Sequence, residues 1–349
     1  MDQVALQELR GAAKNGQGGG HAATVLQRAI QLASLDGPLA AVREQVEALA
    51  STGPWPASEA AEHLLMAGGK AVRPLLTLLS AQAVGGEAEQ ALGCAAAAEL
   101  MHDATLLHDD VIDDGQQRRG REAARVIWGN TVSVLSGDLL FVAALQVAAA
   151  DGPAGVLSEL VDTVGQMVEG EVIQFRHRGR WDLDLATYEQ IVERKTAALF
   201  RWCARAGGRA GGGTAEQVQA LGCYGRHVGV AFQLRDDVLD LTATPVVLGK
   251  ALGADLAEGK LTLPVLLALQ KRPELEPQLR RLAESKDRPD LTAIEQLAAA
   301  IRATGSLVAA RERMDRELQL ALAALAPLPP TPAVRALTSV AEVVASREG

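Results

Sequence analysis

Two sets of aspartates in the chain share one spacing: Asp109, Asp110 and Asp113 in "LLHDDVIDDGQQRRG", and Asp236, Asp237 and Asp240 in "QLRDDVLD". On a helix the first and last members of each set project from one face, with oxygens near enough to share a hard cation. Carboxylates packed without counter-ions raise one another's pKa, and a bound cation removes that conflict. Magnesium suits such a site, because it prefers oxygen ligands and is commonly held by one or two carboxylates together with substrate phosphate oxygens. One acidic cluster at a helix end is ordinary solvated surface. Two with identical spacing, each following an apolar helical run, need another explanation.

Basic side chains supply the other half of that chemistry. "GGKAVRP" carries Lys70 and Arg73, "QQRRG" carries Arg118 and Arg119, "ERKTAALF" carries Lys195 beside Thr196, and "LGKALGADLAEGKLTLP" carries Lys250 and Lys260. Arginine forks and lysine point charges grip phosphate. With the aspartates they describe a pocket with two phosphate sites, one bridged through metal and one held by direct basic contacts.

The elements that must position these groups are helices. The 349-residue chain is 48% apolar but has only four Phe, four Trp and two Tyr, which favours helix over sheet and provides for a large core. An apolar period near 3.6 predicts helices over 38–50, 58–82, 89–108, 131–150, 155–174, 187–206, 215–240, 261–270, 292–303, 306–325 and 332–346, with no strand. "TYEQ" from Thr187 and "TAIE" from Thr292 read as capping boxes. Residues 1–20 read as a short helix and a glycine-rich loop, a flexible extension ahead of one domain over 21–349, without the pattern of a signal peptide. The longest apolar run, "LLFVAALQVAAA" at 139–150, falls short of the roughly 18 residues of a membrane span and reads as a fully buried helix, so no transmembrane segment is expected.

Charge and cysteine usage narrow the function further. The formal net charge of -9 argues against general affinity for nucleic acid or an anionic bilayer. Cys94, Cys203 and Cys223 lie in helical contexts and are odd in number, which argues against a disulfide framework and for a cytoplasmic location.

In order and spacing, the motifs resemble those of the trans-type polyprenyl diphosphate synthases, which extend an allylic diphosphate with isopentenyl diphosphate. The resemblance starts near residue 55 and runs through "GGKAVRP", "ELMHDATLLHDDVIDDGQQRRG", "WGNTVSVLSGDLL", "EGEVIQ", "ERKTAALF", "GVAFQLRDDVLD" and "GKALGADLAEGKLTLP" to the C-terminal end. It implies an all-α helical bundle around a deep central cavity, with the acidic clusters facing across its mouth, and a homodimer. It implies Mg2+ as cofactor, with Asp109, Asp113 and Asp236 as direct ligands and Asp110, Asp237 and Asp240 supporting them or joining through water. The allylic diphosphate would meet Arg118, Lys195, Lys250 and Lys260, with Thr196 and Gln233 lining its site. Isopentenyl diphosphate would be held by Lys70, Arg73, His102 and Arg119, while His108 reads as structural. The implied reaction ionises the allylic carbon–oxygen bond, adds the isopentenyl double bond to the cation and loses a proton, with no enzyme nucleophile.

Product length turns on the helix before the first aspartates. In short-product relatives a bulky aromatic stands four or five residues before the first aspartate; here Thr105 and Ala104 occupy those places. Met101 lies roughly 12 Å deeper along the helix, and Ala98 and Ala97 roughly 17 Å deeper. "CAAAAEL" therefore reads as an open tunnel, with close helix packing as the other reading of the same alanines. The first acidic motif lacks the two-residue insertion of many bacterial short-chain synthases, which also points to a medium or long product. Geranylgeranyl or farnesyl diphosphate is the alternative if Met101 or Phe141 closes the tunnel. Ala71 and Arg125 depart from residues common in the family, which bears on substrate preference rather than reaction class. A terpene cyclase would usually lack "GGKAVRP" and the second acidic motif, and a non-catalytic subunit of a heteromeric synthase would have lost one cluster. Both clusters are intact.

Overall fold

Leucine at helical spacing among abundant alanine builds a bundle of helices in the computed structural model, which describes residues 18–69, 71–242, 253–284 and 291–345. Helices α1 (Gly18–Leu32), α2 (Asp36–Ser51), α3 (Ala57–Met66) and α4 (Val72–Ala83) precede the central helix α5 (Leu92–Ile112). A short antiparallel pair, β1 (Gln117–Arg118) and β2 (Arg121–Glu122), leads into α6 (Ala124–Asp151) and α7 (Val156–His177). Then come α8 (Leu185–Val192), a π-helical turn at Glu193–Ala197, α9 (Ala198–Ala210) and α10 (Ala215–Asp240). The described chain ends with α11 (Ala254–Ala257), α12 (Leu263–Lys271), α13 (Glu276–Glu284), α14 (Leu291–Ala303), α15 (Ser306–Ala324) and α16 (Pro332–Ala345).

Helix α5 is packed by α2, α4, α6 and α9, and α10 by α9, α15, α16 and the π turn. Ala95, Ala96, Ala97 and Ala98 of α5 are fully buried in that core, where methyl side chains let neighbouring helices approach. Thr214 and Gln217 form the capping box that starts α10, each side chain accepting from the other's backbone N–H.

Several expectations need correction. The helix expected over 58–82 is broken between Met66 and Val72, where Gly68 and Ala71 take positive φ of 69° and 45°. The helix expected over 187–206 is interrupted by the π turn. The expected absence of strands fails at 117–122, because a two-residue strand is too short to leave a period; its turn residues Arg119 and Gly120 both take positive φ. The caps also differ: Asp184 accepts from the Thr187 N–H at 2.7 Å, and α14 begins at Leu291, ahead of Thr292. Helix α1 starts at Gly18, inside the stretch read as a loop, and α11 and α13 were not expected. The helix read from the first residues lies outside the described part of the chain.

The run at 139–150 is not fully buried. It belongs to the helical stretch Ala124–Asp151, kinked at Gly129 (φ 83°), whose long arm after the kink is apolar enough to cross a bilayer by length and composition, packs one face along α5 and leaves Val134, Leu135 and Val142 exposed on the other. The period of its apolar residues concealed this, because both faces are apolar.

Candidate active site

The two aspartate sets lie at the C-terminal ends of α5 and α10, and Asp109 and Asp236 line one cavity of about 760 Å3. Lys195, Thr196 and Gln233 border the same space, as do Arg73, His102, Arg118 and Arg119. Most of its other walls are apolar, from Met101 and Ala104 of α5, Phe141 of α6, Val164, Met167 and Val168 of α7, then Leu199 and Phe232, with Thr105, His108, Asp138 and Glu171 as the polar exceptions. Ala97 and Ala98 are not among the lining residues, so the alanine run is packing rather than tunnel wall beyond Met101. Among the described residues no group of three or more acidic, histidine or cysteine side chains is assembled around one point.

The six aspartates have different environments. Asp110 is buried, and one carboxylate oxygen takes the Arg118 guanidinium, with Nε at 3.0 Å. Asp237 is buried too, receiving Tyr188 Oη at 2.5 Å, Gln233 Nε2 at 2.9 Å and the Leu263 N–H at 3.2 Å. Burial pushes its carboxyl up to about 7 against those hydrogen bonds. Buried Asp240 holds the backbone after α10 in place, its carbonyl accepting from the Gly253 N–H at 2.8 Å and its carboxylate from the Asp255 N–H at 3.4 Å. Asp109 and Asp236 border the cavity instead, whereas Asp113, outside its lining, is paired with Arg178 and Lys260. Burial raises the Asp109 carboxyl, with Lys195 opposing and Glu171 and Asp113 adding to the rise. Burial would also raise Asp113, but Lys260, Arg178 and Lys195 hold it below its ordinary value.

Lys195 and Thr196 sit on the π turn, where i→i+5 bonding adds a residue to the helix circumference, a distortion frequent at functional sites. It is braced from α7: a Cβ on Gly170 would lie 2.7 Å from the Lys195 backbone nitrogen, so only glycine permits this approach. Glu171, the next residue, pairs with the Lys195 ammonium, which is also 4.0 Å from Asp109. Thr196 Oγ1 donates to Gln233 Oε1 at 2.9 Å, and Gln233 in turn donates to Asp237.

The second group of cations lies at the α4 and hairpin end. Arg73 stacks over the Phe200 ring at 4.8 Å, and its buried Nε has no hydrogen-bond partner among the described residues. Arg119 reaches the Gly68 carbonyl. Burial, then the charges of Arg73, Arg119 and Arg118, holds the His102 ring well below its ordinary value, so the imidazole is neutral near pH 7. His108 lines the cavity with Nε2 3.2 Å from the Val134 carbonyl and 3.3 Å from Asp138, and Gly137 leaves it the room. Arg125, a departure noted above, binds Asp114 at 2.9 Å and Asn130 at 3.0 Å, stapling the acidic loop to α6. Lys70 and Lys250 lie outside the described residues.

Sequence reasoning did not single out Glu171, Tyr188, Arg178 or Asp103. Glu171 stands inside the quoted "EGEVIQ" and was within reach; the others depend on contacts or burial that no spacing encodes. Asp103 is buried four residues after Glu99, and its carboxyl is pushed up to about 8 by burial and then by Glu99, against Arg119 and Arg73. The folded chain therefore keeps a proton that the unfolded chain releases above 3.8, and stability falls as pH rises from there to about 8. Asp103→Asn copies the protonated form, so its Tm should match the wild type near pH 4 and exceed it by several degrees near pH 9. A Tm difference independent of pH would show that Asp103 does not carry this proton.

Comparison with known proteins gives the site a context. The sequence model of the polyprenyl synthetase family matches residues 56–301. The octaprenyl diphosphate synthase of Escherichia coli is 39% identical over 287 residues, 82% of this chain and 88% of that protein. A short chain isoprenyl diphosphate synthase of Methanothermobacter thermautotrophicus is 40% identical over 232 residues, 65% of this chain and 71% of that protein. The crystal structure of a polyprenyl synthase from Caulobacter crescentus, complexed with calcium and isoprenyl diphosphate, superposes with a TM-score of 0.88 at 34% identity, covering 96% of this chain and all of that one.

Proposed function

Because the chain belongs to the polyprenyl synthetase family, we propose that it is a trans-prenyltransferase that condenses an allylic diphosphate with isopentenyl diphosphate to make a medium- or long-chain all-trans polyprenyl diphosphate. One observation carries the reading: Asp109 and Asp236, from two identical motifs 127 positions apart (236 − 109), line one cavity whose deeper walls are apolar.

The residues fit Mg2+. Asp109 and Asp113 offer only oxygens, on one end of one helix, with Asp236 on the shared cavity, and such a set leaves positions for phosphate oxygens and water. Bound there, Mg2+ would draw charge from the departing diphosphate. The protein's own groups do the rest. Arg118, Lys195 and Lys260, with Lys250 assigned on sequence grounds, hold the allylic diphosphate, and Thr196 and Gln233 orient it. Arg73, Arg119 and neutral His102, with Lys70 on the same sequence grounds, hold isopentenyl diphosphate at the other end. These fixed charges stabilise the leaving group without reorganising. Phe232, Leu199, Val164 and Met167 exclude water from the allylic cation and receive the growing chain.

One domain beginning near residue 21, a cytoplasmic location and a homodimer complete the proposal. Exposed apolar side chains on the adjacent helices α6 and α7, including Leu135, Val142, Val161 and Phe175, support self-association. The test is incubation of the protein with labelled isopentenyl diphosphate, Mg2+ and separate allylic primers, followed by chain-length chromatography. A ladder ending beyond roughly six isoprene units is expected; a stop at four identifies a geranylgeranyl diphosphate synthase, and no incorporation by folded protein refutes the stand-alone enzyme.

A further inference from the structure

The C-terminal end of α7 is docked onto the segment that carries Lys260. Past the helix end, Gly179 takes positive φ and donates its N–H to the Gly259 carbonyl at 3.0 Å. A Cβ on Gly259 would lie 3.2 Å from the Gly179 nitrogen, so two backbones touch at this point. Between them and the first acidic motif lies the Arg178 guanidinium. It contacts Asp113 Oδ1, lies 3.4 Å from Glu258 Oε2 and donates to the Ile112 carbonyl at 3.3 Å. Lys260 completes the array, with Nζ 3.0 Å from Asp113 Oδ2 and 2.6 Å from Glu258 Oε2. Both carboxylate oxygens of Asp113 are thus taken by side-chain cations, and the four side chains are between 16% and 29% exposed.

The geometry points to Arg178 as a positioning residue that competes with the divalent cation for Asp113, with Glu258 as the carboxylate that takes over Arg178 and Lys260 when the cation enters. The inference rests on the reading of Asp109 and Asp113 as metal-facing. A cation approaching Asp113 must displace Arg178 or Lys260, and each displaced group needs a nearby anion so as not to be left buried and unpaired. Glu258 already touches both. The displaced cations then stand beside Lys195 in the chamber that also holds Thr196 and Gln233. Metal alone therefore binds against this competition, whereas metal arriving with a diphosphate gives the released cations a partner.

The two acidic and basic members of the array make opposite predictions. Removing the competitor in Arg178→Gln should tighten binding of Mn2+ alone roughly fivefold, while Glu258→Gln, which leaves Arg178 and Lys260 only Asp113, should weaken it by a similar factor. Arg178→Lys keeps the charge and should restore wild-type affinity. The full-length protein is titrated with Mn2+, free ion being read by electron paramagnetic resonance, with and without inorganic diphosphate, after circular dichroism has shown each variant folded. A purely structural Arg178 would change thermal stability and leave Mn2+ affinity unmoved, which overturns the inference, as does a shift of both Gln variants in the same direction. If Arg178→Gln does not fold, the Glu258→Gln and Arg178→Lys titrations decide alone. Wild-type protein that binds no Mn2+ even with diphosphate refutes the metal-facing reading itself and this inference with it.

Discussion

Asp109→Asn should lower turnover of isopentenyl and allylic diphosphates by roughly 10²–10³-fold, with little change in thermal stability. Asp109 stands at the accessible end of α5, bordering the cavity, and its one side-chain ion pair among the described residues is with Lys195 at 4.0 Å. Asparagine keeps its size and one oxygen but removes the charge that a divalent ion and a departing diphosphate require. Burial already raises the Asp109 carboxyl, so its ionised form depends on nearby positive charge, and neutralising it forfeits electrostatic stabilisation where the leaving group gathers charge. Asp110→Asn is the contrasting control. Asp110 is buried against Arg118, so its loss leaves an unpaired guanidinium and should depress stability. Steady-state kinetics at saturating Mg2+ with parallel thermal melts separate the two. An Asp109→Asn enzyme with wild-type turnover would remove Asp109 from the metal and leaving-group machinery.

The difference between these neighbours shows where sequence reasoning stops. Spacing places both aspartate sets at helix ends, because helical periodicity is a local property of the chain, whereas the expectation that sets 127 positions apart meet at one cavity rests on the family resemblance. Spacing does not distinguish the members of a set. Which carboxylate faces Arg118, which faces Tyr188 and which remains open depends on side chains brought in from other helices. The same limit explains the π turn. "ERKTAALF" has ordinary helical composition, and its widening reflects the approach of α7 at Gly170, a tertiary contact that propensity does not encode. Likewise the run at 139–150 reads as a buried helix because its apolar residues surround it, and only the packing of α6 on α5 reveals the face left outside. The Arg178–Glu258 contact crosses 80 positions and lies in segments whose sequence suggests ordinary surface charge.

Thr105→Phe should shorten the product, moving the end of the ladder down by at least one isoprene unit while leaving the first condensation active. Thr105 lines the apolar part of the cavity between Ala104 and Leu106, and its hydroxyl is satisfied within α5 by donation to the His102 carbonyl at 2.7 Å. The side chain therefore offers the cavity little beyond a methyl group. A phenyl ring there would enter a space of about 760 Å3 rather than packed core, so it should escape much of the roughly 1–3 kcal/mol that overpacking costs. The ring would stand one helical turn from Asp109, close enough to block a lengthening chain while the diphosphates remain seated. Ala98→Phe tests the opposite placement. Ala98 is fully buried and outside the cavity lining, so a ring there should destabilise the fold without a selective change in length. Chain-length chromatography with a matched thermal melt reads both effects. An unchanged ladder from folded Thr105→Phe would mean that the growing chain leaves α5 before reaching Thr105, and would move the length-setting wall to Phe141 of α6 and the valines of α7.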